Sequence, residues 1–142
     1  MTNIKSYKML IDGEWVDASD GATFESINPA TGVAWSRLPE ATAADVDRAV
    51  CAAHRAFKKG PWANLLPSER GKYLRKLADL LAKKSEQLGR TESIDTGKML
   101  KETKWQAKYI AEFFQFYAGC ADKISGEVLP IDKPDMFVFT NR

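Results

Sequence analysis

The chain has 142 residues, of which 44% are hydrophobic and 28% are charged, as in an ordinary globular domain. Its 21 basic and 19 acidic side chains give a formal net charge of +2, which leaves no electrostatic case for nucleic-acid binding. No apolar run is long enough to cross a bilayer, and the first residues lack the apolar stretch of a secretory signal. We therefore expect a cytoplasmic protein that binds neither nucleic acid nor membrane.

The first forty residues predict two β-hairpins. Two short β-prone runs flank Asp12-Gly13, a pair that accepts the positive φ angles of a type I′ turn. The second hairpin pairs an alternating run at residues 23–27 with a return run at residues 33–38.

The chain turns helical after residue 39. The first helix begins at Thr42, with Asp45 as the partner in a short capping box, and ends at Gly60. Its apolar residues recur at helical spacing and predict a buried face: Val46, Ala49, Val50, Ala53 and Phe57. His54 falls outside that face and is predicted to be exposed.

Three more helices and a final strand are predicted. The second helix begins near Pro67, the third is capped by Ser85 and ends at Gly97, and the fourth covers residues 100–124. The second is expected to bury Tyr73, Leu74, Leu77, Leu80 and Leu81. An apolar strand at residues 136–140 has no predicted strand to pair with, which is an aggregation hazard. More chain or a partner subunit is expected to cover it.

The sequence contains no complete catalytic constellation. No glycine-rich phosphate loop, Cys-x-x-Cys, His-Glu-x-x-His or EF-hand pattern is present, so no divalent metal site is predicted. Cys51 and Cys120 lie far apart, and we expect two reduced thiols packed in the structure. With a single histidine, only His54 could form a nucleophile pair.

Two features leave alternatives open. Asp95 lies at the end of a predicted helix, where the helix dipole disfavours a carboxylate. It either bonds to the loop at residues 96–98 or joins a salt bridge, or it holds a cation together with backbone carbonyls. The aromatic cluster of the long helix either packs in a core or lines a ligand channel. Its members are Phe113, Phe114, Phe116 and Tyr117.

Five stretches, in this order, resemble the amino-terminal region of the NAD(P)-dependent aldehyde dehydrogenases. They are IDGEW at 11–15, NPATG at 28–32, PW at 61–62 with SERG at 68–71, DTGK at 95–98, and YAGCADK at 117–123 with Gly126 and Pro130. The only departure is Cys120, which stands where many members have a large aromatic residue. Each stretch is a weak signal alone, but together they extend over nearly the whole chain.

The resemblance implies an α/β fold, namely the amino-terminal part of a dinucleotide-binding domain with two β-hairpins, four helices and the start of an oligomerisation strand. Residues 1–134 would belong to the dinucleotide-binding domain and residues 135–142 to that strand. We therefore expect the chain to be the leading part of a longer enzyme, the parent protein, which would be a homo-oligomer. The long-helix face near Tyr109 and Phe113 resembles one wall of the family's aldehyde channel.

The resemblance also implies the chemistry of the parent protein. A cysteine thiolate attacks the aldehyde, hydride passes to NAD or NADP, and a glutamate activates the water that hydrolyses the thioester. None of these residues, and no cofactor-binding residue, is expected within the chain, so residues 1–142 alone are predicted to be inactive. Some members hold a monovalent cation, Na⁺ or K⁺, with carbonyl oxygens around Ser26 and Ile27 and the carboxylate that matches Asp95.

Two other hypotheses compete with a truncated enzyme. The chain could be a stand-alone helical interaction module that docks on a full-length enzyme, or a small domain that binds an apolar ligand through its aromatic helix. The coding sequence after Arg142 separates them, because only the truncated enzyme continues into a Pro-Trp-Asn segment and a later catalytic cysteine.

Overall fold

A computed structural model describes residues 4–141 of the chain. It confirms the α/β architecture, with short strands in the first part of the chain and helices in the middle. The strands are β1 (Lys5–Ser6), β2 (Met9–Ile11), β3 (Glu14–Val16), β4 (Thr23–Asn28), β5 (Val33–Pro39), β6 (Val128–Leu129) and β7 (Val138–Phe139). The helices are α1 (Ala43–Lys59), α2 (Pro67–Thr96) and α3 (Leu100–Cys120), with a short 3-10 helix at Pro61–Asn64.

Both predicted hairpins are confirmed. Strands β2 and β3 pair in antiparallel fashion around Asp12 and Gly13, whose φ angles of 55° and 84° are those of a type I′ turn. Strands β4 and β5 form the second antiparallel pair. The sequence did not predict that β1 adds to β5 in parallel, which gives a three-stranded sheet in the order β1-β5-β4.

The prediction of four helices is wrong, because residues 67–96 form one continuous helix. Ser85 does not cap a new helix; its hydroxyl donates to the carbonyl of Ala82 one turn earlier, at 2.9 Å. No proline interrupts the helix after its first position. The predicted end at Gly97 is confirmed, since Gly97 adopts a left-handed conformation with φ of 75°.

Helix α3 is shorter than predicted. It ends at Cys120 instead of near residue 124, and the chain then runs to the β6–β7 hairpin. Gly126 lies so close to the Thr140 carbonyl that a Cβ atom there would overlap it, so this position has no room for a side chain. The predicted strand at residues 136–140 is confirmed only at Val138–Phe139, and it pairs with β6.

The helical hairpin of α2 and α3 is the centre of the structure. Its contact surface is made of small residues, so the two backbones approach closely. On α2 the buried residues are Gly71, Ala78 and Gly89, and on α3 they are Thr103, Ala107, Ala111 and Ala118. The prediction that α2 buries Tyr73, Leu77 and Leu80 is wrong for this chain, where these three side chains are exposed and Leu74 and Leu81 are half-buried.

The predicted buried face of α1 is also wrong, although its limits are right. Val46, Val50 and Phe57 are exposed, and Phe57 keeps 73% of its surface. The capping box is confirmed, since the Thr42 side chain accepts from the Asp45 N–H while the Asp45 carboxylate accepts from the Thr42 N–H. The periodicity thus identifies an apolar stripe that residues 4–141 leave uncovered.

Candidate functional site

The carboxylate of Asp95 lies where the last turn of α2 meets the sheet. Its Oδ1 atom accepts hydrogen bonds from the Ser26 hydroxyl at 2.5 Å and from the Trp35 indole nitrogen at 3.2 Å. The prediction of a bond to the loop at residues 96–98 is wrong, because Ser93 and Thr96 form the side-chain bonds to that loop. No salt bridge involves Asp95 among the residues that the structure describes.

A β-bulge shapes this part of the sheet. Ser26 pairs with Ser36 and Ile27 pairs with Ala34, so Trp35 is left over on β5. The extra residue places the Trp35 indole within hydrogen-bond distance of both Ser26 and Asp95. The structure therefore brings Ser26 and Asp95 together, with Ile27 at the next position of β4, and Trp35 is a member of the cluster that the sequence did not reveal.

An open cavity of about 610 Å³ lies beside Asp95, between the sheet and the helical hairpin. Its walls are mostly apolar and include Leu38 of β5, Leu81 and Leu88 of α2, and Ile110 of α3. The polar residues around it include Glu92, whose carboxylate bonds to Lys98 at 2.7 Å. This cavity is large enough for a small ligand or for several side chains of another segment.

The aromatic residues of α3 form a row along its outer side. Trp105 stacks on Tyr109 with ring centroids 5.0 Å apart, and Tyr109 meets Phe113 edge to face at 5.1 Å. The row continues through Tyr117 to Phe116, which is 67% exposed. A shallow groove of about 330 Å³ runs along the row.

The prediction that the aromatic cluster packs in a core is therefore wrong, except that Phe114 is half-buried. Helix α3 uses its alanine side for the contact with α2, which leaves Phe113, Phe116 and Tyr117 on the outside. The alternative, a wall of a ligand channel, stays a prediction.

The candidate nucleophiles do not form a site. Both cysteines are free; Cys120 is half-buried, but Cys51 is exposed on α1, so the prediction that it is packed is wrong. His54 is exposed, as predicted. Within residues 4–141 no group of three or more His, Cys, Asp or Glu side chains is placed to hold a metal ion. No helix of this described part is long and apolar enough to span a membrane.

Among residues 4–141, Asp45 accepts more side-chain hydrogen bonds than any other residue, and the sequence predicts only its part in the capping box. Its carboxylate accepts from the Ser19 hydroxyl and the Ser19 N–H, from the Thr42 hydroxyl and N–H, and from Arg48 at 2.6 Å. The bond from the Ser19 hydroxyl, followed by those from the backbone, holds the pKa of Asp45 far below its usual range, although burial opposes them. This carboxylate fixes the start of α1 to the loop after β3.

Comparison with known proteins identifies the family. The sequence profile of the aldehyde dehydrogenase family matches residues 15–142. The chain belongs to the aldehyde dehydrogenase family. It is 47% identical over 133 residues to (Z)-2-((N-methylformamido)methylene)-5-hydroxybutyrolactone dehydrogenase of Acinetobacter baylyi, a match that covers 94% of the chain and 27% of that enzyme. Betaine aldehyde dehydrogenase of Bacillus subtilis is 42% identical over 130 residues, which is 92% of the chain and 26% of the enzyme.

Solved aldehyde dehydrogenase structures contain the same fold. The NAD-dependent aldehyde dehydrogenase of Sinorhizobium meliloti superposes with a TM-score of 0.85 at 33% identity, over 95% of this chain and 27% of that one. Betaine aldehyde dehydrogenase of Staphylococcus aureus, solved in complex with NAD⁺, gives a TM-score of 0.83 at 38% identity, over 94% of this chain and 26% of its own. This aldehyde dehydrogenase chain thus spans about a quarter of the length of the relatives it matches.

Proposed function

We propose that residues 1–142 are the leading part of an aldehyde dehydrogenase that oxidises an aldehyde to a carboxylic acid with NAD or NADP. Family membership supports the reaction, and the fraction of each relative that is matched supports a longer parent protein. We infer that the thiolate, the water-activating glutamate and the cofactor-binding residues belong to the rest of the parent protein. When bound, the nicotinamide ring of the cofactor would accept the hydride from the substrate.

The observation that carries the proposal is the amount of exposed surface. The chain has a solvent-accessible area of 11295 Å². A compact monomer of 15.9 kDa is expected to expose about 7,400 Å², so this chain exposes about one and a half times that area. Much of the excess is apolar, including the outer sides of α1 and α3 and the β6–β7 hairpin. A small protein partner would bury too little surface to cover this excess, whereas the remainder of a large enzyme could cover it.

We assign residues 1–134 to the dinucleotide-binding domain and residues 135–142 to the start of the strand that pairs subunits. Strand β7 supports this assignment, because Phe139 in the strand and Phe137 just before it are exposed, with ring centroids 5.6 Å apart. An apolar edge of this kind is protected when another strand pairs with it. The proposed parent protein is a cytoplasmic homo-oligomer.

A stand-alone module that docks on a full-length enzyme is the second candidate. The uncovered apolar faces of α1 and α3 favour it, since large exposed patches mark interaction surfaces. The coding sequence decides between the two candidates. A frame that continues into a Pro-Trp-Asn segment supports the truncated enzyme, and a stop codon after Arg142 supports the module.

Purified residues 1–142 are expected to show no aldehyde-dependent formation of NADH or NADPH, because the proposed catalytic groups lie elsewhere in the parent protein. The measurement is absorbance at the wavelength of the reduced nicotinamide, with a panel of short and long aldehydes. The parent protein under identical conditions is the positive control. Turnover by residues 1–142 above that of a buffer blank would contradict this assignment.

The isolated chain is also expected to self-associate, since its exposed apolar faces lower their free energy by burial. Light scattering at increasing protein concentration should show species larger than 15.9 kDa, and a dye that binds apolar surface should fluoresce. Phe57→Ser together with Phe116→Ser, two exposed positions, should reduce both signals. A dye-silent monomer at all concentrations would show that these faces are not adhesive.

We further propose that Asp95, with carbonyl oxygens of Ser26 and Ile27, holds Na⁺ or K⁺. Within residues 4–141, hydrogen bonds reach only Oδ1 of Asp95, so Oδ2 keeps its lone pairs for a cation. The carboxylate also lies in the last turn of α2, where the helix dipole adds negative potential. Oxygen ligands of this kind suit a weakly bound monovalent ion with a structural role.

Stability of the parent protein is expected to rise when Na⁺ or K⁺ replaces choline at constant ionic strength, and Asp95→Asn should abolish that rise. The measurement is the thermal midpoint across a series of cation concentrations. Asp47→Asn, at an exposed position on α1, is the matched control and should keep the cation response. An unchanged response in Asp95→Asn would remove the cation proposal, even if that variant is less stable throughout.

A further inference from the structure

The carboxylate of Asp95 is hydrogen-bonded through one of its two oxygens. Its Oδ1 atom accepts from the Ser26 hydroxyl at 2.5 Å and from the Trp35 indole N–H at 3.2 Å, and no hydrogen bond within residues 4–141 reaches Oδ2. The Trp35 N–H is shared, because the hydroxyl oxygen of Ser26 also lies 3.2 Å from the indole nitrogen. Two donors therefore draw negative charge toward Oδ1 and compensate part of it.

The two donors to Asp95 differ in how firmly they are fixed. The hydroxyl of Ser26 turns about its own C–O bond and can aim its proton elsewhere, whereas an indole N–H moves only with its ring. The ring of Trp35 is half-buried and meets Tyr7 edge to face, with ring centroids 6.2 Å apart. Trp35 is also the extra residue of the β-bulge, so the sheet itself sets its position. Trp35 is therefore the fixed donor to Asp95.

Asp95 supplies the negative charge of the proposed cation site. Glu92, the other carboxylate that lines the neighbouring cavity, bonds to the Lys98 ammonium at 2.7 Å. The remaining proposed ligands, the carbonyl oxygens of Ser26 and Ile27, are neutral. The site thus has one negative charge, and the hydrogen bonds to Oδ1 compensate part of it. Such a site balances the charge of a monovalent ion but leaves that of a divalent ion largely uncompensated.

We propose that Trp35 sets the preference of the Asp95 site for monovalent over divalent cations. The indole N–H keeps Oδ1 occupied, so Asp95 presents a single oxygen and does not bind Ca²⁺ through both oxygens, a geometry that Ca²⁺ accepts readily. The inference rests on the proposed cation site and adds to it a residue of β5. The family resemblance placed only Ser26, Ile27 and Asp95 around the cation.

Trp35→Phe in the parent protein tests the preference, because it removes the N–H and keeps an aromatic ring. The Coulomb energy between a site and an ion is proportional to the charge of the ion, so the regained negative charge acts twice as strongly on Ca²⁺ as on K⁺. We expect the concentration for half-maximal stabilisation to fall about threefold for K⁺ and about tenfold for Ca²⁺. The measurement is the thermal midpoint across a series of each chloride salt, with choline chloride keeping the ionic strength constant.

Four further variants of the parent protein make the result specific. Trp15→Phe, at an exposed position of β3, is the matched control and should change neither concentration. Asp95→Asn measures the response to ions that bind elsewhere, which is subtracted. Ser26→Ala removes the other donor but keeps the backbone carbonyl, and it should shift the preference toward Ca²⁺ as well. Benzothienylalanine at position 35 replaces the N–H by sulfur in a ring system of the same shape, and it should reproduce Trp35→Phe even if that variant does not fold.

The possible results separate this inference from the proposals on which it rests. If the natural parent protein responds to K⁺ through Asp95, then an equal change for both ions in Trp35→Phe, no change, or weaker binding of both overturns the role of Trp35 alone. If the natural protein shows no K⁺ response that Asp95→Asn abolishes, the cation site and this inference fail together. Turnover of aldehyde is measured separately, and its absence contradicts only the proposed function.

Discussion

Replacing Asp45 by asparagine is expected to lower the thermal midpoint of unfolding by roughly 5 °C or more. The carboxylate is buried and accepts hydrogen bonds from Ser19, Thr42 and Arg48. Asparagine keeps the shape, but it removes the negative charge and turns an –NH₂ group toward donors that need an acceptor. The start of α1 and the loop that carries Ser19 should then loosen together. Circular dichroism at the helix signal during heating measures the effect.

The pH dependence of the same variant gives a second test. Because the folded-state pKa of Asp45 is lowered, its ionised form stabilises the fold at every pH above the unfolded-state pKa, which is about 3.9. That stabilisation is lost as the pH falls below this value toward the folded-state pKa. The difference in the free energy of unfolding between the natural protein and Asp45→Asn should therefore be constant above about pH 5 and should decrease below pH 4.

Asp47 provides the matched control, since it lies two residues further along α1 and is exposed. Asp47→Asn should change the thermal midpoint little, because an exposed surface substitution of this kind is worth a few tenths of a kcal/mol, about 0.5 at most. An equal loss in both variants would show that charge near the start of the helix matters more than the buried hydrogen bonds. If the difference in the free energy of unfolding between the natural protein and Asp45→Asn does not decrease in acid, the assignment of an ionised Asp45 is contradicted.

Features set by neighbouring residues could be predicted from the sequence. The Asp12-Gly13 turn, the Thr42–Asp45 capping box and the glycine stop at Gly97 are all present in the structure. Each depends on residues within one or two turns, where sterics and backbone hydrogen bonding leave few alternatives. The family resemblance was also available, because its five motifs are local stretches.

Contacts between distant parts of the chain could not be predicted. Ser19 lies 26 residues before Asp45, and Ser26 lies 69 residues before Asp95, so no periodicity relates either pair. The family resemblance predicts cation ligands around Ser26 and Ile27, but nothing in the sequence indicates that Trp35 joins this cluster through a β-bulge. Side chains that meet only after the sheet and helices pack have no local signature.

The buried residues of α1 and α2 could not be predicted from apolar periodicity, for a different reason. The pattern of α1 correctly marks the side that carries Val46, Val50 and Phe57, yet these residues are exposed. Periodicity identifies an apolar stripe without identifying what covers it. On α2, periodicity predicts that the large residues Tyr73 and Leu77 are buried. The residues that are buried are small, because the backbones of α2 and α3 lie close together.

The close contact of α2 and α3 makes Gly89 sensitive to an added methyl group. A Cβ atom there would lie 2.7 Å from Cα and 2.8 Å from the nitrogen of Lys104, which are backbone atoms that cannot turn aside. Gly89→Ala must therefore push the helices apart and loosen the contacts of Ala107 and Ala111. Overpacking of this kind costs about 1–3 kcal/mol.

Gly119→Ala is the matched control, because Gly119 lies in α3 and an added methyl group there would have nothing within 4 Å of it. Gly89→Ala also gains helix propensity, about 0.5–1 kcal/mol, and Gly119→Ala gains less because Gly119 lies next to the end of α3, so the difference between the variants is a lower limit for the cost of the contact. Urea unfolding should place Gly89→Ala about 1–3 kcal/mol below Gly119→Ala in the free energy of unfolding. Gly71→Ala should resemble Gly89→Ala, since its Cβ would lie 2.8 Å from the Ala118 carbonyl oxygen. Equal stability of all three variants would mean that the helices separate without loss, and the small residues between them would then need another explanation.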